Sequence, residues 1–349
     1  MSKQSKLFAI GTAVLVAMGA ARVEAQCTLP AWGAGPPVGT DLYGASVTNA
    51  GGAIYSAGGY SFSGGGTTTL FQRYDVGANT WTTLAPLPTA MALGTLASDP
   101  VGNRLFLFGG TPDGAVASGV VQVYSIATDT WSAGPALPDT RELMGGGTLG
   151  NVIYLVAGYS TGQVTDSQNQ NWLFDPGAGT YTPKAVLPAA LGGAGSAVVG
   201  GKIYIMGGRD GVTSQLNTNF GYDPGTDTWA TLAVVPTAVN VPAGAGLSGD
   251  GCTGRVFLAG GGNPFLHGLA APRRAEHILT TGIVQLYDPG TDSWATGPAL
   301  PVGRSFASAT QAGDTLLVIG GYDGGTTVNT VNRIQGAPLP VGLSGFSIE

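Results

Sequence analysis

One spacing recurs five times in this chain and leaves few folds open. An aromatic residue is followed seven positions later by another: Tyr74/Trp81, Tyr124/Trp131, Phe174/Tyr181, Tyr222/Trp229 and Tyr287/Trp294. Seven positions after each second aromatic stands a proline, at Pro88, Pro138, Pro188, Pro236 and Pro301. An apolar run ending in a small doublet recurs with the same rhythm: Gly58-Gly59, Gly109-Gly110, Ala157-Gly158, Gly207-Gly208, Gly260-Gly261 and Gly320-Gly321. The second glycines lie 51, 48, 50, 53 and 60 residues apart. A period near 50 residues marks units that cannot bury their apolar faces alone and must stack on neighbours. Turn sequences such as Asp223-Pro224-Gly225 and Asp288-Pro289-Gly290 separate the aromatic partners, which places them on successive strands. With 60 glycines, 43% hydrophobic and only 10% charged residues, the composition suits short strands and tight turns and excludes disorder.

The succession of apolar strand, Gly-Gly, Tyr-Asp, Trp and Leu-Pro resembles the Kelch repeat, of the galactose oxidase/Kelch superfamily, in a secreted bacterial-type version. The resemblance covers roughly residues 27–335. It implies an all-β, six-bladed Kelch-type β-propeller with four-stranded antiparallel blades around a central channel. Segments 143–147, 191–195 and 242–246 are rich in glycine and alanine and read as inner strands, slim enough for the axis. The sixth doublet is followed by a strand near 328–334 but by no tryptophan. Trp32, with Pro36 four positions on, has the offset of Trp131/Pro135 and Trp294/Pro298. Residues 28–35 are therefore expected to form the outer strand of the last blade, so that the N-terminal strand pairs with the C-terminal blade and closes the ring.

Lys3 and Lys6 precede an apolar stretch over 7–21, and Val23-Glu24-Ala25 supplies small residues for cleavage. The pattern reads as a signal peptide over 1–25, a propeller over 26–335 and a tail over 336–349, in a secreted or periplasmic protein. The apolar stretch is short for a bilayer, and no membrane span is expected after cleavage. The net charge of −6 becomes more negative once that segment is gone, which disfavours nucleic acid as a partner. Cys27 begins the expected outer strand of the last blade, and Cys252 lies in an expanded turn, 249–254, of the fifth. An exported chain allows a disulfide between them, the alternative being two thiols.

Function is expected in the loops after the doublets and the segments leading into each blade, which share one face. Candidate ligand-binding residues there are Tyr60, Arg141, Glu142, Arg209, Asp210, Arg304, Tyr322 and Asp323. The loop after the fifth doublet is long and adds Phe265, His267, Arg273, Arg274 and His277. His267, Glu276 and His277 match no recognised metal-ligand spacing, so no metal or other cofactor is expected. Arg141 and Arg304 follow the Leu-Pro step, where an arginine braces loops or faces the channel. The reading is an exported binding scaffold for a glycan or protein partner. One alternative is a carbohydrate-active enzyme similar to sialic acid mutarotases, and another is a part of a cell-surface assembly. The resemblance does not extend to a copper oxidase, because both histidines lie ten residues apart on one loop.

Overall fold

Each aromatic pair is a cross-strand pair flanking a tight turn, and each fastens its blade to the one before. In the second repeat Tyr124 and Trp131 sit directly opposite in antiparallel strands, their ring centroids 5.1 Å apart. The turn between them ends at Asp129, which takes a left-handed φ of 51°, tolerated by Asp better than by most residues. Asp129 Oδ1 accepts the Tyr124 hydroxyl at 2.8 Å and the backbone N–H of Ala85, in the preceding repeat, at 2.9 Å. Trp131 Nε1 donates to the carbonyl of that same Ala85 at 2.9 Å. The indole bond recurs around the molecule: Trp81 to Pro36, Trp229 to Ala185, Trp294 to Ala233 and Trp32 to Pro298, with the Tyr181 hydroxyl donating to Pro135 in the third repeat. One such bond runs from each of the six blades to its predecessor, and together they complete the circle.

A computed structural model describes residues 27–162, 165–248, 252–262 and 279–336. They form six four-stranded antiparallel sheets and one short two-stranded ribbon, Tyr60–Ser61 with Gly66–Thr67. Blade 1 runs outward from Ser46–Ala50 at the axis through Ala53–Ala57 and Phe71–Asp75 to Thr80–Thr83. The inner strands of blades 2 to 5 are Thr95–Asp99, Gly145–Leu149, Gly195–Val199 and Ala243–Gly246. Their outer strands are Thr130–Ala133, Thr180–Lys184, Thr228–Thr231 and Ser293–Thr296. Blade 6 has Ser308–Ala312, Thr315–Ile319 and Val331–Gln335. Its fourth strand is Gly33–Gly35, paired antiparallel with Val331, Asn332 and Arg333. Successive inner strands are neighbours all the way round, the sixth against the first. This is a six-bladed β-propeller closed by its N-terminal strand.

The closing strand is three residues rather than the eight of 28–35, and its partner begins at Val331 rather than 328. Blade 6 thus lacks the outer turn of the other blades, and with it the Asp–Tyr bond found in blades 2, 4 and 5, since its third and fourth strands belong to opposite ends of the chain. A disulfide joins Cys27 to Cys252 across 225 residues of sequence, tying the closing segment to blade 5. Cys252 is buried in a core with Leu247, Phe257 and Leu316, against which Leu29 and Trp32 pack.

The glycine-rich inner strands follow from crowding. A Cβ on Gly244 would stand 2.5 Å from the Ser196 carbonyl oxygen, and one on Gly246 2.4 Å from that of Val198. Two inner strands start later than the sequence suggests, at Gly145 and Gly195 rather than 143 and 191. The reason is a left-handed residue two positions earlier, which turns the chain into the strand. It is Gly44, Leu93, Leu143, Gly193, Val241 and Phe306 in blades 1 to 6, with φ between 48° and 64°. Each of the six donates its N–H to the carbonyl of the previous one, from Leu93 to Gly44 through Gly44 to Phe306, at 2.7–3.4 Å. The result is a closed ring of backbone hydrogen bonds around the axis.

Candidate functional site

The loops after the doublets are shaped by their aspartates. Asp113 Oδ1 accepts the N–H groups of Ala115 and Val116 at 2.8 and 3.0 Å, Asp210 Oδ1 those of Val212 and Thr213 at 2.9 and 2.6 Å, and Asp323 Oδ1 those of Gly325 and Thr326 at 2.9 and 2.8 Å. These backbone donors hold Asp113 and Asp210 below the ordinary carboxylate range. Neighbouring loops touch through glycines, where side chains would collide: Gly114 against the Tyr60 ring, Gly162 against Ala115 and Gly211 against Thr165. Valines then project from a braced rim, with Val116 56% and Val212 90% exposed, and Leu279 beside the fifth doublet is 75% exposed.

Arg141 and Arg304 brace rather than line the channel. Arg141 is fully buried. It donates to Asp139 Oδ2 at 3.0 Å, the Thr140 carbonyl at 2.9 Å and Gln170 Oε1 at 2.8 Å, with its guanidinium 5.1 Å over the Trp172 ring. Arg304 Nη1 reaches the Gly320 and Thr330 carbonyls at 3.2 and 3.0 Å. Neither is among the residues around the axis.

Glu142 and Tyr159 are paired by a backbone bridge, as are Gly192 and Arg209 in the next blade. The Tyr159 ring packs over Gly192, where a Cβ would stand 2.2 Å from its Cζ. Burial pushes the Tyr159 phenol up, the Arg209 charge pulls it back, and Glu142 and Asp210 add to the rise. An acid, a phenol and a guanidinium thus share the sector between blades 3 and 4, all three buried. The opposite sector is aromatic. Tyr60 is partly exposed and stacks on Tyr43 at 5.4 Å, while Tyr322 is buried, gives its hydroxyl to the Gly324 carbonyl and meets Phe62 edge-on. Phe265, His267, Arg273, Arg274 and His277 lie outside the described residues, as do residues 1–26, which include the segment expected to be a signal peptide, and residues 337–349.

A domain description, the KLHDC2/KLHL20/DRC7 Kelch-repeats domain, matches residues 44–261, well over half of the chain. The chain belongs to the Kelch-repeat family. It is 31% identical to mouse Kelch-like protein 35 over 139 residues, which cover 40% of this chain and 22% of that protein. It is 28% identical to Kelch-like protein terF of Aspergillus terreus over 287 residues, 78% of this chain and 59% of the relative. The chain therefore spans less than two thirds of either curated relative. The solved structure of YjhT superposes with a TM-score of 0.68 at 18% identity, covering 86% of this chain and 97% of that one, a likeness of fold.

One cluster escaped sequence reasoning. Asp41, in the segment leading into blade 1, accepts hydroxyls from Ser61, Ser63 and Thr327, which joins blade 6 to blade 1. These donors outweigh its burial and hold its carboxyl at about 2. The other Kelch blades have Ala90, Thr140, Ala190, Ala238 and Gly303 at the corresponding position. The departure from the repeat is the signal that could have found it.

Proposed function

We propose that this Kelch propeller is an exported binding scaffold that docks a protein partner on the face formed by the loops after the doublets. The observation that carries the proposal is the projection of Val116 and Val212 into solvent from loops already held by aspartates and glycine contacts, with Leu279 exposed on the same face. Rigid apolar side chains lose little entropy on docking, and their burial supplies the driving force. Kelch propellers commonly bind proteins, which agrees with this reading. Export rests on the N-terminal sequence pattern.

The test is affinity capture from the secreted fraction of the source cells with the immobilised propeller. Three baits are compared: the unaltered protein, Val116→Asp/Val212→Asp, and Val101→Asp on the opposite, hairpin face. A partner held by the first and third baits and lost from the second supports the proposal. A partner indifferent to the loop-face pair refutes it. A carbohydrate-active role is the second reading, favoured by Glu142 and Arg209 beside the Tyr159 phenol. It predicts that Glu142→Gln abolishes any acceleration of anomeric exchange in a sugar acid.

A further inference from the structure

The inner strand of every blade is a sheet edge, hydrogen-bonded on one side only. Some carbonyls on its free side are capped by a hydroxyl of the neighbouring inner strand, as Met144 by Thr95, Ser98 by Thr148 and Gly146 by Ser196, and the remaining peptide groups face the axis and require partners there. The six edges enclose a channel of about 490 Å³, within the size range of small-molecule pockets.

The channel is open at one end. On the loop side Tyr43, Leu93, Val241, Phe306 and Tyr322 form a single buried apolar cluster. They come from blades 1, 2, 5 and 6, so they meet across the axis and plug it above the ring of backbone bonds. At the hairpin end Asn49 is exposed. Its Nδ2 reaches the Gln311 carbonyl, and Gln311 Oε1 accepts the Ser248 N–H at 2.9 Å. These amides make a polar collar across blades 5, 6 and 1.

Among the described residues the walls are uncharged, with no Asp, Glu, Lys, Arg or His in the lining. An ion entering would lose its hydration without gaining a counter-charge. The two sides of the well differ. Blades 6 and 1 supply Thr310, Ser46 and Thr48 to the lining. Ser46 is 5% and Thr310 8% exposed, and none of the three hydroxyls bonds within the described residues. Blades 3 to 5 are richer in glycine and alanine, with Met144, Val198 and Pro242, and the two hydroxyls they bring, Thr148 and Ser196, are already given to the Ser98 and Gly146 carbonyls. Gly146 there has a φ of +118°, and a Cβ on it would stand 2.1 Å from the Tyr154 carbonyl oxygen. That position therefore has to remain free of a side chain.

We propose that the well binds a small neutral hydroxylated molecule, of the size of a monosaccharide or polyol, admitted from the hairpin face. Hydroxyl groups both donate and accept, as the exposed strand edges and the Ser46, Thr48 and Thr310 hydroxyls require. The C–H face of a sugar ring lies against the glycine-rich side of blades 3 to 5. The proposal is independent of the loop face, which lies beyond the plug.

The test is calorimetric titration of the oxidised protein with galactose, glucose, N-acetylglucosamine and mannitol, with glucuronate as the charged counterpart. Thr48→Val and Thr310→Val remove one hydroxyl each at nearly constant shape. The expected result is binding of at least one neutral probe, weakened about tenfold by each valine, with weaker binding of glucuronate. Val212→Asp leaves this binding unchanged, which separates it from the loop-face reading. Amide NMR shifts on titration with the bound probe, at Gly147 and Gly244 rather than Val212, locate the ligand without any substitution. No heat with any neutral probe, shifts confined to the loop face, or affinity indifferent to both valines in variants that melt normally overturns the proposal.

Discussion

The closing strand is held through three backbone pairs to blade 6, and its segment through the Trp32 indole bond and the Cys27–Cys252 bridge to blade 5, and cutting the bridge tests how much that closure depends on a covalent link. Reduction leaves every atom of the side chains in place, so the comparison isolates the cross-link. In the chain-entropy account, a bridge spanning 225 residues restricts the unfolded chain by about 5 kcal/mol at 25 °C. For a propeller of roughly 300 residues the unfolding entropy is about 0.6 kcal/mol per kelvin. The two figures together give a fall of about 8 °C in Tm on reduction. Differential scanning calorimetry of the oxidised protein, the reduced protein and Cys27→Ala/Cys252→Ala measures it, with the alanine variant at or somewhat below the reduced protein. A change under 1 °C on reduction would refute the reasoning, because it would mean that the N-terminal strand stays docked in the unfolded ensemble or contributes nothing to the native one.

Three further outcomes are expected. Trp131→Phe keeps the ring but leaves the Ala85 carbonyl without its indole donor, a loss of about 1–2 kcal/mol read by urea denaturation. Gly244→Ala drives a Cβ to 2.5 Å from the Ser196 carbonyl and costs more than about 2 kcal/mol by the same measurement, while Gly66→Ala, which opens onto free space, costs about 1 kcal/mol or less. Asp41 has its folded pKa lowered from 3.8 to about 2, so its contribution is fully present above pH 4 and is lost as the pH falls through 2. After a discount for its partial exposure this amounts to about 1–2 kcal/mol, and Asp41→Asn removes that part of the acid-induced fall in Tm between pH 5 and 2.

Sequence alone determined the architecture because the features that build a blade are local and repeated. The aromatic spacing places two rings opposite each other across a turn, and five copies with a displaced sixth tryptophan already require a closed ring. The pairing of Cys27 with Cys252 was only allowed by the sequence, with two thiols as the alternative, and the structure decided for the bridge. The candidate sites were less legible, because a residue type in a loop does not disclose its partners. Asp210 and Asp323 stood as ligand candidates, yet their Oδ1 atoms are taken by backbone N–H groups two and three residues on. Arg141 had two open roles, and only the meeting of Asp139, Gln170 and Trp172 around it decided for bracing. The plugged channel could not be read from sequence at all. Leu93, Val241 and Phe306 are separated by up to four repeats, and only the curvature of the ring brings them together on the axis. Local pattern fixes what each unit is, whereas the meeting of side chains from different units depends on closure and exists only in the assembled propeller.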